Sequence, residues 1–199
     1  MEPLKPLHEI ATPDRLSASY VLVNQETGET RPFTITDFHQ RLSTIRLGQT
    51  VPDDIRSYFE TIKNIFLYGW FVYSFYTVAM FLSFIVIEMA LREKFRKDDP
   101  ERKWPFQKLI KEAKSKGFIA DEGFVSVKLR RDQLVETFGR ADIPWGQPAE
   151  DYCEILVKSI PYLRNYFAHP GMNAIALPAD ASSAMVLAAE FINQLFPEA

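Results

Sequence analysis

The sequence predicts a mostly α-helical fold carrying a small N-terminal β-hairpin. Three observations carry that expectation. Apolar residues recur at helical spacing through most of the chain beyond residue 50, two β-favouring runs flank one Gly-containing turn near the start, and aromatic side chains concentrate between residues 58 and 84, marking one heavily packed element. A chain of 199 residues supports one core, so residues 1–50 are expected to form an arm and hairpin appended to a helical domain over 51–199.

In chain order, residues 1–18 hold three prolines and little apolar periodicity, and they read as an arm lying on the surface. Ser19–Val23 and Thr30–Ile35 then flank Gln25-Glu26-Thr27-Gly28-Glu29 as the hairpin, with Pro32 fitting an edge position. Asp37 is the expected cap of a short helix reaching Arg46, and Pro52 with Asp53 and Asp54 opens a helical pattern running to about Lys97, bent or divided at Gly69. Trp104-Pro105 starts a helix that Gly117 should close in a left-handed cap, and a further helix is expected over Leu129–Phe138. Two helices finish the chain. One runs from about Ala149 to Ala168 and is bent or split by Pro161; the other is capped by Asp180 and carries Ala184, Leu187, Ala188, Phe191, Ile192 and Leu195 on one face.

Composition narrows the functional classes. Apolar residues make up 47% and charged residues 25%, which argues against disorder, collagen-like and low-complexity chains. Cys153 is the only cysteine, so no intrachain disulfide forms, a reducing compartment fits, and no Cys/His spacing suits zinc. Met1-Glu2-Pro3-Leu4-Lys5-Pro6 has neither a basic start nor an apolar run, so no secretory signal is expected and the setting is cytoplasmic. Residues 92–131 carry 13 Lys/Arg against 7 Asp/Glu, a local excess within a chain whose net charge is −3; the stretch suits phosphate groups, or simply the wet faces of two helices.

Ile65–Ile87 is free of formal charge for 23 residues, enough to cross a bilayer core. Tyr68, Gly69, Tyr73, Ser74, Tyr76, Thr77 and Ser83 are spread through its middle instead of gathering at two interfaces, so it reads as the buried helix of a bundle, with a membrane tether as the further alternative.

Chemistry concentrates in Pro161-Tyr162-Leu163-Arg164-Asn165-Tyr166-Phe167-Ala168-His169-Pro170. Arg164 can hold a phosphate through two parallel hydrogen bonds, Asn165 can orient an oxygen, and His169 can exchange a proton near neutral pH. These are the parts of a metal-free ribonuclease. On a regular helix Arg164 and His169 lie roughly 140° apart, so convergence requires a distorted helix end, which Pro170 favours, or a second chain. The competing structural reading pairs Arg164 with Glu154 or Glu88 and leaves His169 closing the helix. His8 and His39 have no sequence neighbours that suggest ligation, Cys153 reads as a small core residue, and neither a phosphate-binding glycine loop nor a Gly-x-Ser-x-Gly elbow is present.

Arg164-Asn165-x-x-x-His169 resembles the Arg-x4-6-His motif of HEPN domains, including the Asn that often follows the Arg. Ile87-Glu88-Met89-Ala90-Leu91-Arg92 and Leu109-Ile110-x-x-Ala113-x-x-x-Gly117-Phe118-Ile119 are similar to segments preceding that motif in HEPN proteins of the DUF4145-like kind, and together the similarity spans about residues 55–196. The resemblance implies an antiparallel helical bundle, commonly a homodimer, whose motifs face a shared cleft. It implies RNA as the bound molecule, metal-independent endoribonuclease activity in many members with Arg164 and His169 catalytic and Asn165 supportive, and no cofactor. It also implies a toxin, defence or RNA-processing setting with a protein partner or antitoxin; other members are noncatalytic binding modules.

Overall fold

In the computed structural model, which describes residues 4–96, 103–129, 151–169 and 175–198, helix packing is organised around one apolar helix. The described elements are α1 (Arg15–Ala18), strands β1 (Val21–Val23) and β2 (Thr30–Pro32), α2 (Ile35–Ser43), α3 (Asp53–Tyr68), α4 (Phe75–Arg96), α5 (Phe106–Ser115), α6 (Tyr152–Ala168) and α7 (Pro178–Leu195). The protein is a mostly helical bundle with a two-stranded antiparallel sheet in which Val21 faces Pro32 and Val23 faces Thr30. The expected helix over Leu129–Phe138 lies outside the described residues apart from helical backbone at 125–129.

Helix α4 buries Tyr76, Ala79, Ser83, Phe84, Val86, Ile87, Ala90, Leu91 and Phe95, residues spread around its circumference. It packs against α3, α7, α6 and α5, which gives nearly every side somewhere dry to go. Helix α3 contributes the stripe Ile55, Phe59, Ile62, Phe66, a 4-3-4 spacing that keeps one face on the core. Among the described residues, α4 is the one helix long and apolar enough to cross a membrane; its buried side chains are those of a bundle core. The uncharged run Ile65–Ile87 is not continuous helix, because residues 69–74 turn the chain between α3 and α4.

Gly69 makes that turn possible. Its φ is ordinary, but a Cβ there would lie 2.6 Å from the Tyr76 ring and 2.8 Å from the Phe66 carbonyl oxygen. Tyr76 cannot retreat: it is fully buried, with ring centroids of Phe66 at 5.0 Å, Tyr73 at 5.2 Å and Phe38 at 5.9 Å. The N-terminal residues dock on the same turn. Asp14 N donates to Trp70 O at 2.8 Å, Ser17 Oγ to Gly69 O at 3.2 Å, and the Tyr20 and Tyr73 hydroxyls lie 2.8 Å apart. Phe33, Phe38, Leu42 and Ile45, all inside the expected appendage, join the core of the helices.

Several helix ends depart from expectation. Thr34, not Asp37, caps α2, and Asp37 sits three residues in, where its carboxylate accepts from Thr34 N at 2.8 Å in a capping box and pairs with Arg31. Likewise Leu177 precedes α7, Pro178 takes the first helical position, and Asp180 accepts from Leu177 N at 3.2 Å, so Asp180 lies inside the first turn instead of capping it. Pro161 neither splits α6 nor ends it; the helix continues from Tyr152 to Ala168, with Glu154 before the proline tied to Lys114 of α5 and Arg164 after it tied to Glu88 of α4. Gly117 adopts the left-handed conformation expected of it, with φ of 69°.

Substituting Gly69→Ala is expected to cost about 2 kcal/mol through overpacking against Tyr76, lowering Tm by roughly 4–8 °C in a thermal melt. A wild-type Tm would show that the turn relaxes at no cost.

Candidate functional site

Helix α6 begins where α5 ends. Asp151 caps it by accepting from Glu154 N at 3.0 Å, and Asp121 accepts from Tyr152 N and Cys153 N at 2.9 Å each. Lys114, near the end of α5, pairs with Asp151 at 2.8 Å and Glu154 at 3.2 Å. Burial opposes ionisation of Asp121, but the Cys153 and Tyr152 amides outweigh it and hold the carboxyl below its usual range. Asp121, Asp151 and Cys153 gather donor atoms within 4.8 Å of one another, and the contacts made by the two acids are those of a capped helix start.

Ten residues separate Glu154 from Arg164, about 15 Å along the helix axis. Glu154 therefore stays with Lys114 while Arg164 reaches α4, and of the two acids considered for Arg164 the structure selects Glu88. Arg164 Nη2 donates to Glu88 Oε2, Arg164 Nη1 donates to Asn165 Oδ1 at 2.9 Å, and the guanidinium carbon lies 5.6 Å from the Phe106 ring centroid. Glu88 Oε1 is taken at 2.6 Å by Arg92, one turn further along α4. Two arginines thus share one carboxylate whose side chain is only 12% exposed, leaving a local excess of one positive charge. Charge-assisted contacts of this kind fix a guanidinium firmly.

His169 is held quite differently. It is the exposed C-cap of α6, with φ −88° and ψ 125°, so the chain leaves helical geometry at this residue, as a residue before proline should. Its backbone N–H reaches Tyr166 O at 3.4 Å, and its imidazole makes no hydrogen bond or ion pair among the described residues. The structure brings Arg164 and Asn165 together, then, but does not join His169 to either. Sequence reasoning missed Phe106 beneath Arg164 and the sharing of Glu88 with Arg92; the Glu88–Arg92 spacing was a readable signal, whereas nothing local points to Phe106.

A groove of about 600 Å³ lies elsewhere, lined by Met80, Phe84, Ile160, Leu163 and Leu187 among others, and none of Arg164, Asn165 and His169 borders it. Cys153 is no nucleophile. It is 1% exposed, and burial together with the nearby Asp121 carboxylate pushes its thiol up to about 12. A disulfide reagent at about pH 8 should leave Cys153 untouched in the native protein and titrate one thiol after denaturation; rapid native labelling would contradict the packing of α6.

No protein-family model, no curated protein and no solved structure matches the chain.

Proposed function

We propose that the protein is a HEPN-like, homodimeric RNA-binding protein that cleaves RNA without a metal ion, in a cytoplasmic toxin, defence or RNA-processing role. The observation that carries this reading is that the last turns of α6 hold both a guanidinium immobilised by Glu88 and Asn165 and, five residues on and on another side of the helix, a solvent-exposed imidazole. Glu88 and Asn165 each take one of the five N–H groups of Arg164, so one N–H on each terminal nitrogen stays uncommitted among the described residues. Those two can grip one phosphate.

The chemistry is transfer within the RNA backbone. An imidazole takes the proton of a ribose 2′-hydroxyl as that oxygen bonds to phosphorus. The bond from phosphorus to the 5′-oxygen breaks, the same group, now imidazolium, gives that proton to the departing oxygen, and Arg164 stabilises the charge gathering on the phosphoryl oxygens. Arg164 and His169 lie roughly 140° apart around α6, so a twofold pair of chains completes the site by bringing the His169 of one copy to the Arg164 of the other.

Incubated with mixed RNA in chelator, the protein should cleave. His169→Ala should lower the rate by about 10²–10⁴-fold and Arg164→Ala by about 10²–10³-fold. Mixed dimers made by co-expressing the two variants should recover roughly a quarter of wild-type activity, because half the dimers then hold one intact site. Cleavage that survives both single substitutions removes the catalytic assignment.

The Glu88–Arg164 ion pair specifically favours a second reading, a noncatalytic dimerisation or interaction module in which Arg164 is structural. In that case Glu88→Gln and Arg164→Ala would lower Tm alike and leave RNA binding unchanged.

A further inference from the structure

We infer that single-stranded RNA lies along an aromatic stripe on the outer face of α6, a stripe that includes His169 and faces away from Arg164 of the same chain; the inference rests on the RNA-binding reading above and goes beyond it. Lys158, Tyr162, Tyr166 and His169 follow one another at spacings of four, four and three, and Asn165 lies beside them. At about 100° per residue these five fall within one sector of the helix, opposite the buried Cys153, Leu156, Val157 and Ile160. Lys158, Tyr162, Asn165 and His169 are exposed, and Tyr166 is half-buried.

Tyr162 is the unusual member. It is 65% exposed, and its ring stands 6.1 Å from that of Tyr166 at an interplanar angle of 33°. Tyr166 is braced from below by Phe167, edge to face at 5.3 Å. Flat rings presented to water in succession, next to a cation and an imidazole, offer what unpaired bases need: π faces to stack on, which every base can use irrespective of its identity. The charge pattern agrees. Lys158 continues the stripe, and Lys108 and Lys111 stand exposed on α5, which packs alongside α6; none of the three is in an ion pair among the described residues. Of the neighbouring acids, Asp151 and Glu154 share the single cation of Lys114, so one negative charge stands against the three lysines.

From Lys158 to His169 the stripe runs about 16 Å, room for roughly four or five stacked nucleotides at 3.4 Å each. A duplex would gain little from it, because paired bases keep their faces inside the helix and show the protein only phosphates, sugar hydroxyls and base edges.

Fluorescence anisotropy with a labelled, unstructured pyrimidine-rich RNA, alone and annealed to its complement, tests this. The single strand should bind more tightly than the duplex. Tyr162→Ala should weaken single-strand binding about tenfold and Tyr162→Trp should preserve it, while the duplex responds to neither. Equal binding of both RNA forms, or wild-type affinity in Tyr162→Ala, overturns the inference. So does a Tyr162→Ala protein that light scattering shows as monomer where the wild type is dimer, since the stripe is then a subunit contact. The two readings fail separately: if Tyr162→Ala weakens binding while Arg164→Ala and His169→Ala leave cleavage intact, the stripe stands and the catalytic assignment falls. A wild-type protein that binds no RNA removes both.

Discussion

Helix α4 carries no charge from Phe75 to Ile87 and has large apolar side chains on every side, so little of it suits water, and the rest of the bundle follows from covering most of it. Helices α3 and α7 take two of its flanks, while α6 with α5 takes much of the remainder. Glu88 is the first charge after that run and still lies on the packed part of the helix, with its side chain only 12% exposed. A carboxylate so placed must be paired or it costs several kcal/mol. Arg92, one turn on, satisfies one oxygen from the same helix; Arg164 satisfies the other from α6 and so fixes where the end of α6 lies against α4.

The same constraint explains how residues before position 50 attach to the helices. Covering the start of α4 falls to aromatic side chains from three places in the sequence: Phe38 from α2, Phe66 from α3, and Tyr73 from the turn, all packed around Tyr76. Hydrogen bonds from Asp14, Ser17 and Tyr20 then tie the chain ahead of the hairpin to residues 69–73. At the opposite end of the bundle, Gly48 N donates to Asn193 Oδ1 at 2.9 Å and Asn193 Nδ2 returns to Arg46 O at 3.0 Å, stitching the segment before α3 to α7. The N-terminal residues are thus bound to both ends of the helical core.

Local signals carried most of this fold. The hairpin, the Pro52 start with its acidic first turn, the Pro105–Gly117 helix and the apolar face of α7 all depend on residues within one or two turns of each other, and all stand near where they were expected. The misplaced features share a cause. Thr34 with Asp37, and Leu177 with Asp180, each put a carboxylate inside the first turn, where it receives a backbone N–H from outside the helix; in sequence such a residue looks like the cap itself. The fate of Pro161 depends on what packs before and after it, which no local pattern contains. The site divides in the same way. Arg164, Asn165 and His169 stand out by residue type and spacing, whereas Phe106 under the guanidinium, and the choice of Glu88 over Glu154, come from how far each group lies along helices brought together only by folding.

The two ends of the Arg164–His169 run therefore carry different physical burdens. Arg164 is bound to Glu88, Asn165 and the face of Phe106, so its removal strands a half-buried carboxylate with only Arg92 and disturbs the junction of α4, α5 and α6. His169 contributes little to the fold: its imidazole is exposed and makes no polar contact among the described residues, and only its backbone takes part in ending α6. A substitution at Arg164 accordingly disturbs packing and an ion pair, whereas one at His169 removes no polar side-chain contact among the described residues. The guanidinium is thus part of the packing that holds α6 on α4, and the imidazole, about 140° away around the helix, is not.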